Sequence, residues 1–294
     1  NRDWQWHFGQ AIVRTVSDFG TRSEPPTHPQ LLDWLEMWFM DNGWSLKKLN
    51  KLIVMSATYQ QDSRPTATGM AQDPTNQWLW RTNIQRLDFE EVRDSLLVLG
   101  GKLDLTMGGH PFAMAGAGAG GKGRYATADL SSLGGTNRRS VYAFIDRSAL
   151  PEMLNTFDFA NPDMSTGERI MTTVPQQALF MMNSPFLIEQ VKNILARPDF
   201  PAAAPDVEKV KFIFRTVFQR APRPEELKLA EKYLSSEQPA PNTSETGSGI
   251  AIGQTGSAES KMRKKTPTSQ MTPLTPLERY TQVILLTNEL IYVN

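Results

Sequence analysis

Three arginines and three carboxylates are spaced as they would be at a site that handles charge. Glu90 and Asp94 stand on one predicted helix, Arg138 and Arg139 precede a β-branched and aromatic run, and Asp158 and Arg169 flank an oxygen-rich loop. Glu90 is three residues from Arg93 and four from Asp94, a spacing that puts all three on one helical face. Guanidinium forks among apolar residues take carboxylates bidentately. The cluster therefore reads either as a structural ion-pair network or as a basic pocket for a carboxylate, sulfate or sugar acid held by Arg138, Arg139 and Arg169. In the second case Glu90, Asp94 or Asp158 would act as acid or base beside the arginines.

Other patterns are weaker. Asn161, Asp163 and Ser165, with Glu168, put oxygen atoms at alternating positions, as a calcium loop does, but counting from Asn161 the sixth and twelfth positions are Thr166 and Thr172. An EF-hand needs Gly and an acid there, so an Asx turn is the plainer account. The tract Gly116 to Gly123 approaches a phosphate-binding loop, yet Gly123 follows Lys122 where Ser or Thr should bind magnesium, and no strand precedes it. His7, His28 and His110 are the only histidines and none pairs with another at metal spacing, so no metal is expected. Neither a Gly-x-Ser-x-Gly elbow nor a His-Glu-x-x-His helix occurs.

The elements that must position these residues are mostly helices. Trp4, Phe8, Ala11 and Ile12 recur at helical spacing, ending near Gly9, and a loop follows from Thr15 to Thr27. Pro29 opens a helix with a Leu31, Leu32, Leu35, Trp38, Phe39 stripe, stopped by Asn42-Gly43. Ser45 caps a second, whose buried face is predicted as Leu46, Leu49, Leu52, Ile53 and Met55. After a polar stretch from Gln60 to Asp73, Asn76 to Leu87 is predicted to be helical in part. Asp88 with Glu91 then forms an acidic capping box for a helix closed by Gly100-Gly101. Arg139 to Ile145 predicts a short strand, partnered by an extended segment from Arg169 to Val174. Pro175 and Pro185 each begin a helix. Val207 to Phe218 and Glu225 to Leu234 make another helical pair, and Leu277 to Ile291 a last helix with Tyr280, Ile284, Leu285 and Leu290 facing in.

The fold class is thus mainly α: a multi-helix globular domain over residues 1–237 plus 276–294, with a short β element in the Arg-rich middle. Residues 107–136 read as a Gly-rich flexible loop, and residues 238–275, rich in Pro, Ser, Thr and Gly, as a disordered insertion. Of the seven tryptophans, Trp4, Trp34, Trp38 and Trp44 fit a helical core, while Trp78 and Trp80 could also form a carbohydrate-stacking surface.

Composition narrows the function classes. Lys plus Arg and Asp plus Glu both total 31, so no global field would draw a polyanion, and nucleic acid is not an expected partner. No apolar run reaches the roughly 20 residues that span a bilayer, so no membrane insertion is expected. The absence of Cys removes disulfides, thiolate nucleophiles and Cys-ligated metals. The opening Asn1-Arg2-Asp3-Trp4 reads as the inside of an element, and a missing upstream portion is expected.

A set of phrases carries a family resemblance: Asn1-Arg-Asp-Trp-Gln-Trp-His-Phe-Gly9, Asp18-Phe-Gly20, His28-Pro-Gln-Leu-Leu-Asp-Trp-Leu35, Gly43-Trp-Ser-Leu-Lys47, Ser56-Ala-Thr-Tyr59 and Asp73-Pro-Thr-Asn76. Arg86-Leu87 with Glu90 to Asp94, Arg138-Arg-Ser-Val-Tyr142, Phe157-Asp158, Thr172-Thr-Val-Pro-Gln-Gln-Ala-Leu179 with Asn183, and Asn288-Glu-Leu-Ile-Tyr292 continue it. In order and number these resemble the planctomycete-type C-terminal domain of unknown function 1553. The resemblance implies an exported, extracytoplasmic protein in which this domain follows a cytochrome c module. Haem is expected only in that upstream module, because this chain has no Cys to attach it. No established catalytic residue comes with the resemblance.

Three functions stay open. The first is an accessory or binding domain of an exported, redox-linked protein, with the upstream domains of its own polypeptide or an extracellular polysaccharide as partner. The second is an enzyme acting on carbohydrate or sulfated glycan through the Arg/carboxylate cluster. The third is a docking surface for the cytochrome c module. The second gains if Glu90, Asp158, Arg139 and Arg169 line an open cleft and loses if they are buried and mutually paired, and the third predicts binding to the upstream module that weakens with salt.

Overall fold

Helix α1 (Arg2–Phe8) stops at Gly9, whose left-handed φ of 74° lets its N–H close on the Gln5 carbonyl. A Cβ at Gly9 would also meet the Gln85 side chain at 3.2 Å, so this glycine serves both the turn and the close approach of a neighbouring segment. The computed structural model describes residues 1–113, 137–147, 150, 152–236 and 273–293. Most of the Gly-rich segment, the phosphate-loop-like tract and the expected disordered insertion up to residue 272 lie outside the described residues.

Helices α2 (Pro29–Asp41) and α3 (Leu46–Val54) form the predicted hairpin, with Pro29 at the start of α2 and the Ser45 hydroxyl accepting from the Lys48 N–H. Its apolar stripes are less covered than predicted. No residue of α2 is fully buried, only Ile53 is buried on α3, and Leu46 and Met55 are exposed. Trp34 and Trp44 are exposed as well, contrary to a core assignment.

A short helix α4 (Ala67–Gln72), capped by Thr66, lies inside the stretch read as merely polar. The segment after it is not helical. Asn76 and Leu79 take left-handed φ, the Asp73 carboxylate accepts from the Trp78 N–H, and the Trp80 indole donates to the Asp73 carbonyl. Local side-chain bonds here outcompete a helical ladder. The segment ends in strand β1 (Gln85–Arg86), antiparallel to Tyr292–Val293.

Helix α5 (Phe89–Leu99) has the expected cap: Glu91 Oε2 accepts from the Asp88 N–H at 2.9 Å, and Gly100 and Gly101 close the far end. Strand β2 (Phe112–Ala113) follows. The predicted strand from Arg139 begins instead as a 3-10 turn (Ser140–Tyr142) and only Ala143–Phe144 extends as β3, parallel to β2 and not to residues 169–174, which form no strand. The turn forms because the Ser140 N–H is drawn into a carboxylate rather than into a ladder. Helix α6 (Glu152–Thr156) was not predicted, whereas α7 (Pro175–Asn183) and α8 (Pro185–Leu195) start at the expected prolines.

Two compact units emerge, residues 1–198 with 285–294 and residues 199–284. The first is centred on α5 and α8, whose Leu96, Leu97, Leu187, Val191 and Ile194 are buried, with Phe157 at 4.6 Å and 5.6 Å from the rings of Phe89 and Phe180. The second holds α9 (Asp206–Phe218) and α10 (Pro224–Ser235), packed through Val210, Ile213, Phe214, Val217 and Ala230. The predicted last helix is broken into α11 (Pro276–Leu285) and α12 (Asn288–Ile291), after which β4 (Tyr292–Val293) begins. Twelve helices against four two-residue strands make the described residues mainly α. None of these helices is long and apolar enough to cross a membrane.

Candidate functional site

Arg169 is the centre of the charged cluster. Its guanidinium donates to both oxygens of Glu90, at 3.0 and 2.8 Å, and pairs with Asp88 at 3.1 Å, while the Phe159 ring lies 4.8 Å from its carbon. This is the bidentate geometry expected of arginine, and it raises the already high affinity of Arg169 for its proton, the Glu90 bonds contributing most. Burial raises the Asp88 carboxyl as well, above the ordinary Asp range; Arg169 opposes that shift, and the charges of Glu90 and Glu91 add to it.

Asp94 and Asp158 are engaged elsewhere. Asp94 accepts the Ser140 N–H on both oxygens, at 2.9 and 3.0 Å, and the Ser140 hydroxyl at 2.7 Å. The same Oδ1 meets the guanidinium of Arg93, fully buried between Phe112 and Phe186, which also donates to the Arg138 carbonyl and the Ser140 hydroxyl. Burial makes Arg93 a weaker base, an effect that Asp94 resists. Asp158, held at a left-handed φ of 61°, closes the following loop by accepting the Thr172 N–H and hydroxyl and the Gln177 amide. Arg86 finishes this clasp by donating to the Thr172 carbonyl and Gln177 Oε1.

The remaining candidates disperse. Arg138 donates to the carbonyls of Thr106, Gly108 and His110 and stacks on Tyr142 at 4.4 Å. Arg139 is exposed and makes no side-chain pair among the described residues. Asn161 Oδ1 accepts from the Asp163 N–H at 2.9 Å, Asp163 pairs with Arg147, and Ser165 is exposed, which is an Asx turn. Among the described residues no group of three His, Asp or Glu is placed to hold a metal ion.

An open groove of about 930 Å³ lies beside the cluster. Its walls are α1, the segment Asn83 to Arg86, the first turn of α5, residues 160–173 and Tyr292. Of the six acid, base and arginine candidates, only Arg169 lines it. The residues that give it character are ones the spacing rules do not single out. Trp6, 75 % exposed, and Tyr292 present aromatic faces; Gln10 and Gln85 present amides. Gln5 lines the groove and is 7 % exposed, and its Oε1 has no hydrogen-bond partner among the described residues. The lining carboxylates Asp88, Glu91 and Glu168 outnumber the lining arginines Arg86 and Arg169, both of which are already held by protein acceptors. A shallower recess of about 300 Å³ continues past Gln5 and Gln10 to Arg14 and Thr75.

Trp6 follows Trp4 by two residues, so one ring of this pair must leave the buried face of a helix; Trp4 stacks on Phe8 at 4.1 Å and Trp6 is the one left outside. That alternation was the available signal for the groove.

The family described as "Protein of unknown function (DUF1553)" matches residues 1–234, and the chain belongs to it. No curated protein and no solved structure matches the chain.

Proposed function

With membership of that family as the premise, we propose that this chain is a binding domain whose groove takes a neutral, polyhydroxylated chain, an extracellular polysaccharide segment. The observation that carries it is the groove itself: exposed Trp6 offers a flat apolar platform, and amide and carboxylate groups around it accept and donate hydrogen bonds. An acidic or sulfated glycan fits less well, because Arg169 is neutralised by Asp88 and Glu90, the Arg86 guanidinium is occupied by the Thr172 carbonyl and the Gln177 amide, and the lining retains an excess of carboxylate. Binding is favoured over catalysis by the engagement of Glu90, Asp94 and Asp158 in structural contacts.

The setting we propose is the one that the resemblance implies: an exported, extracytoplasmic, redox-linked protein in which the domain follows a cytochrome c module that carries the haem, with no cofactor in this chain.

Thermal unfolding with a panel of neutral and sulfated oligosaccharides tests the binding. Neutral chains should raise the midpoint progressively as their concentration rises, logarithmically once the site is mostly filled. Trp6→Ala should weaken them about tenfold or more, the effect of losing roughly 1.5 kcal/mol of apolar contact. Preference for the sulfated ligands, or indifference to Trp6→Ala, would overturn the proposal.

One observation favours a second reading. Asp88 combines a raised carboxyl with a place in the groove, as a general acid would. Cleavage of a bound oligosaccharide that is abolished by Asp88→Asn would establish it, and intact oligosaccharide after prolonged incubation would remove it.

A further inference from the structure

The α2–α3 hairpin carries an unbalanced charge pattern on two adjoining helices. Exposed residues of α2 include Asp33, Glu36 and Asp41, with no Lys or Arg anywhere on the helix. Those of α3 include Lys47, Lys48 and Lys51, with no Asp or Glu. Although the helices are joined by a four-residue turn, no ion pair among the described residues links these acids to these lysines; the Lys48 amine instead reaches the Asn42 carbonyl at 3.4 Å. Large apolar side chains sit among the charges: Trp34 and Met37, 50 % and 56 % exposed, lie within the acidic arc of α2, and Leu46 and Met55, 60 % and 66 % exposed, flank the lysines of α3. On a helical projection Asp33, Met37, Asp41 and Trp34 fall on one side of α2, and Lys47, Lys51 and Met55 on one side of α3.

Each helix alone is an exposed apolar stripe bounded by one sign of charge, the composition of an interface rather than of a solvated face. The occupant that satisfies both stripes at once is a second copy of this hairpin. A two-fold pairing lays α2 of one copy on α3 of the other, twice, so that acids meet lysines and Trp34 and Met37 meet Leu46 and Met55, with the same patch used on both sides. We propose that this hairpin is a self-complementary dimerisation surface.

Sedimentation equilibrium of the 294-residue chain tests it with two charge-reversed variants. Asp33→Lys/Glu36→Lys turns α2 basic; Lys47→Glu/Lys51→Glu turns α3 acidic. In either variant alone both contacts of the dimer bring like charges together, so the dissociation constant should rise at least about tenfold. Mixed together, the two variants make both contacts attractive again and should recover a heterodimer of near-native affinity that weakens with salt. A variant that merely misfolds cannot be rescued by the other, and circular dichroism of each separates the cases. The proposal is overturned if the unaltered chain is monomeric at every concentration, if either reversed variant dimerises as the parent does, or if two folded variants fail to associate on mixing, which would assign the surface to a different partner.

Discussion

Glu226 offers the clearest quantitative test of how charge stabilises this chain. In the unit formed by residues 199–284 its carboxylate receives both arms of the Arg220 guanidinium at 2.8 Å and the Arg223 N–H at 2.6 Å, capping α10. The Arg220 bonds, with the Arg223 amide, pull its carboxyl from 4.5 to about 2. At about 1.4 kcal/mol per pH unit the full shift would correspond to roughly 3.4 kcal/mol. Both partners are 27 % exposed, and screening by solvent reduces this to about 1–2 kcal/mol. Because the folded carboxyl is depressed, the contribution is complete above the unfolded value of 4.5 and is lost as pH falls through about 2. Glu226→Gln removes the charge and leaves an oxygen for the Arg223 amide. The variant should be less stable than the parent by about 1–2 kcal/mol near neutrality, and the gap should close in acid. Residues 199–284 contain none of the seven tryptophans, so amide hydrogen exchange of α9 and α10 is the appropriate probe. A gap that stays constant or widens in acid would refute the reasoning.

Further predictions concern the buried polar groups and one glycine. Asp94→Ala strips the Ser140 N–H and hydroxyl of their acceptor and leaves buried Arg93 without its counter-charge; denaturant unfolding should show a loss of about 3–5 kcal/mol, and a loss below about 1 kcal/mol would mean that Arg93 is held by its other acceptors alone. A Cβ at Gly69 would lie 2.5 Å from the Trp80 indole, so Gly69→Ala should cost about 1–3 kcal/mol and shift Trp fluorescence; an unchanged spectrum would contradict the close packing. Burial, with the charge of Glu226, pushes the Tyr280 phenol up to about 12. A raised acid keeps its stabilisation below the ordinary value of 10 and loses it as pH climbs toward about 12, so alkaline destabilisation over that window should be absent in Tyr280→Phe.

Helices were most legible where Pro or Gly stood at a boundary, whereas α4, capped only by Thr66, was missed. Pro29, Pro175 and Pro185 begin helices because the missing N–H is no loss there, and Gly9 and Gly100-Gly101 end them. Where side chains compete for the backbone, periodicity misled. The Asp73 and Asn76 side chains take the N–H groups of residues five positions on and defeat a helix, and Asp94, 46 residues away, draws the Ser140 N–H out of a strand; neither competition shows in apolar periodicity. Of the charged cluster, Arg169 meets Glu90 on α5, while Asp158 closes its own loop on Thr172 and Gln177. Its partition was not legible, because which acid an arginine chooses depends on packing between distant segments. The groove went unseen because its character comes from Trp6, Gln5 and Gln85, ordinary residues made notable only by where α1 stops.

The clamp that Arg138 makes on the carbonyls of Thr106, Gly108 and His110, beside the pairing of Phe112–Ala113 with Ala143–Phe144, has a topological consequence. It fixes the points at which the chain departs after residue 113 and returns before residue 137 on adjoining pieces of the same framework. Two stretches of chain far apart in sequence, 104–113 and 137–144, are thereby tied at a single guanidinium, so that loss of the Arg138 side chain should loosen both at once.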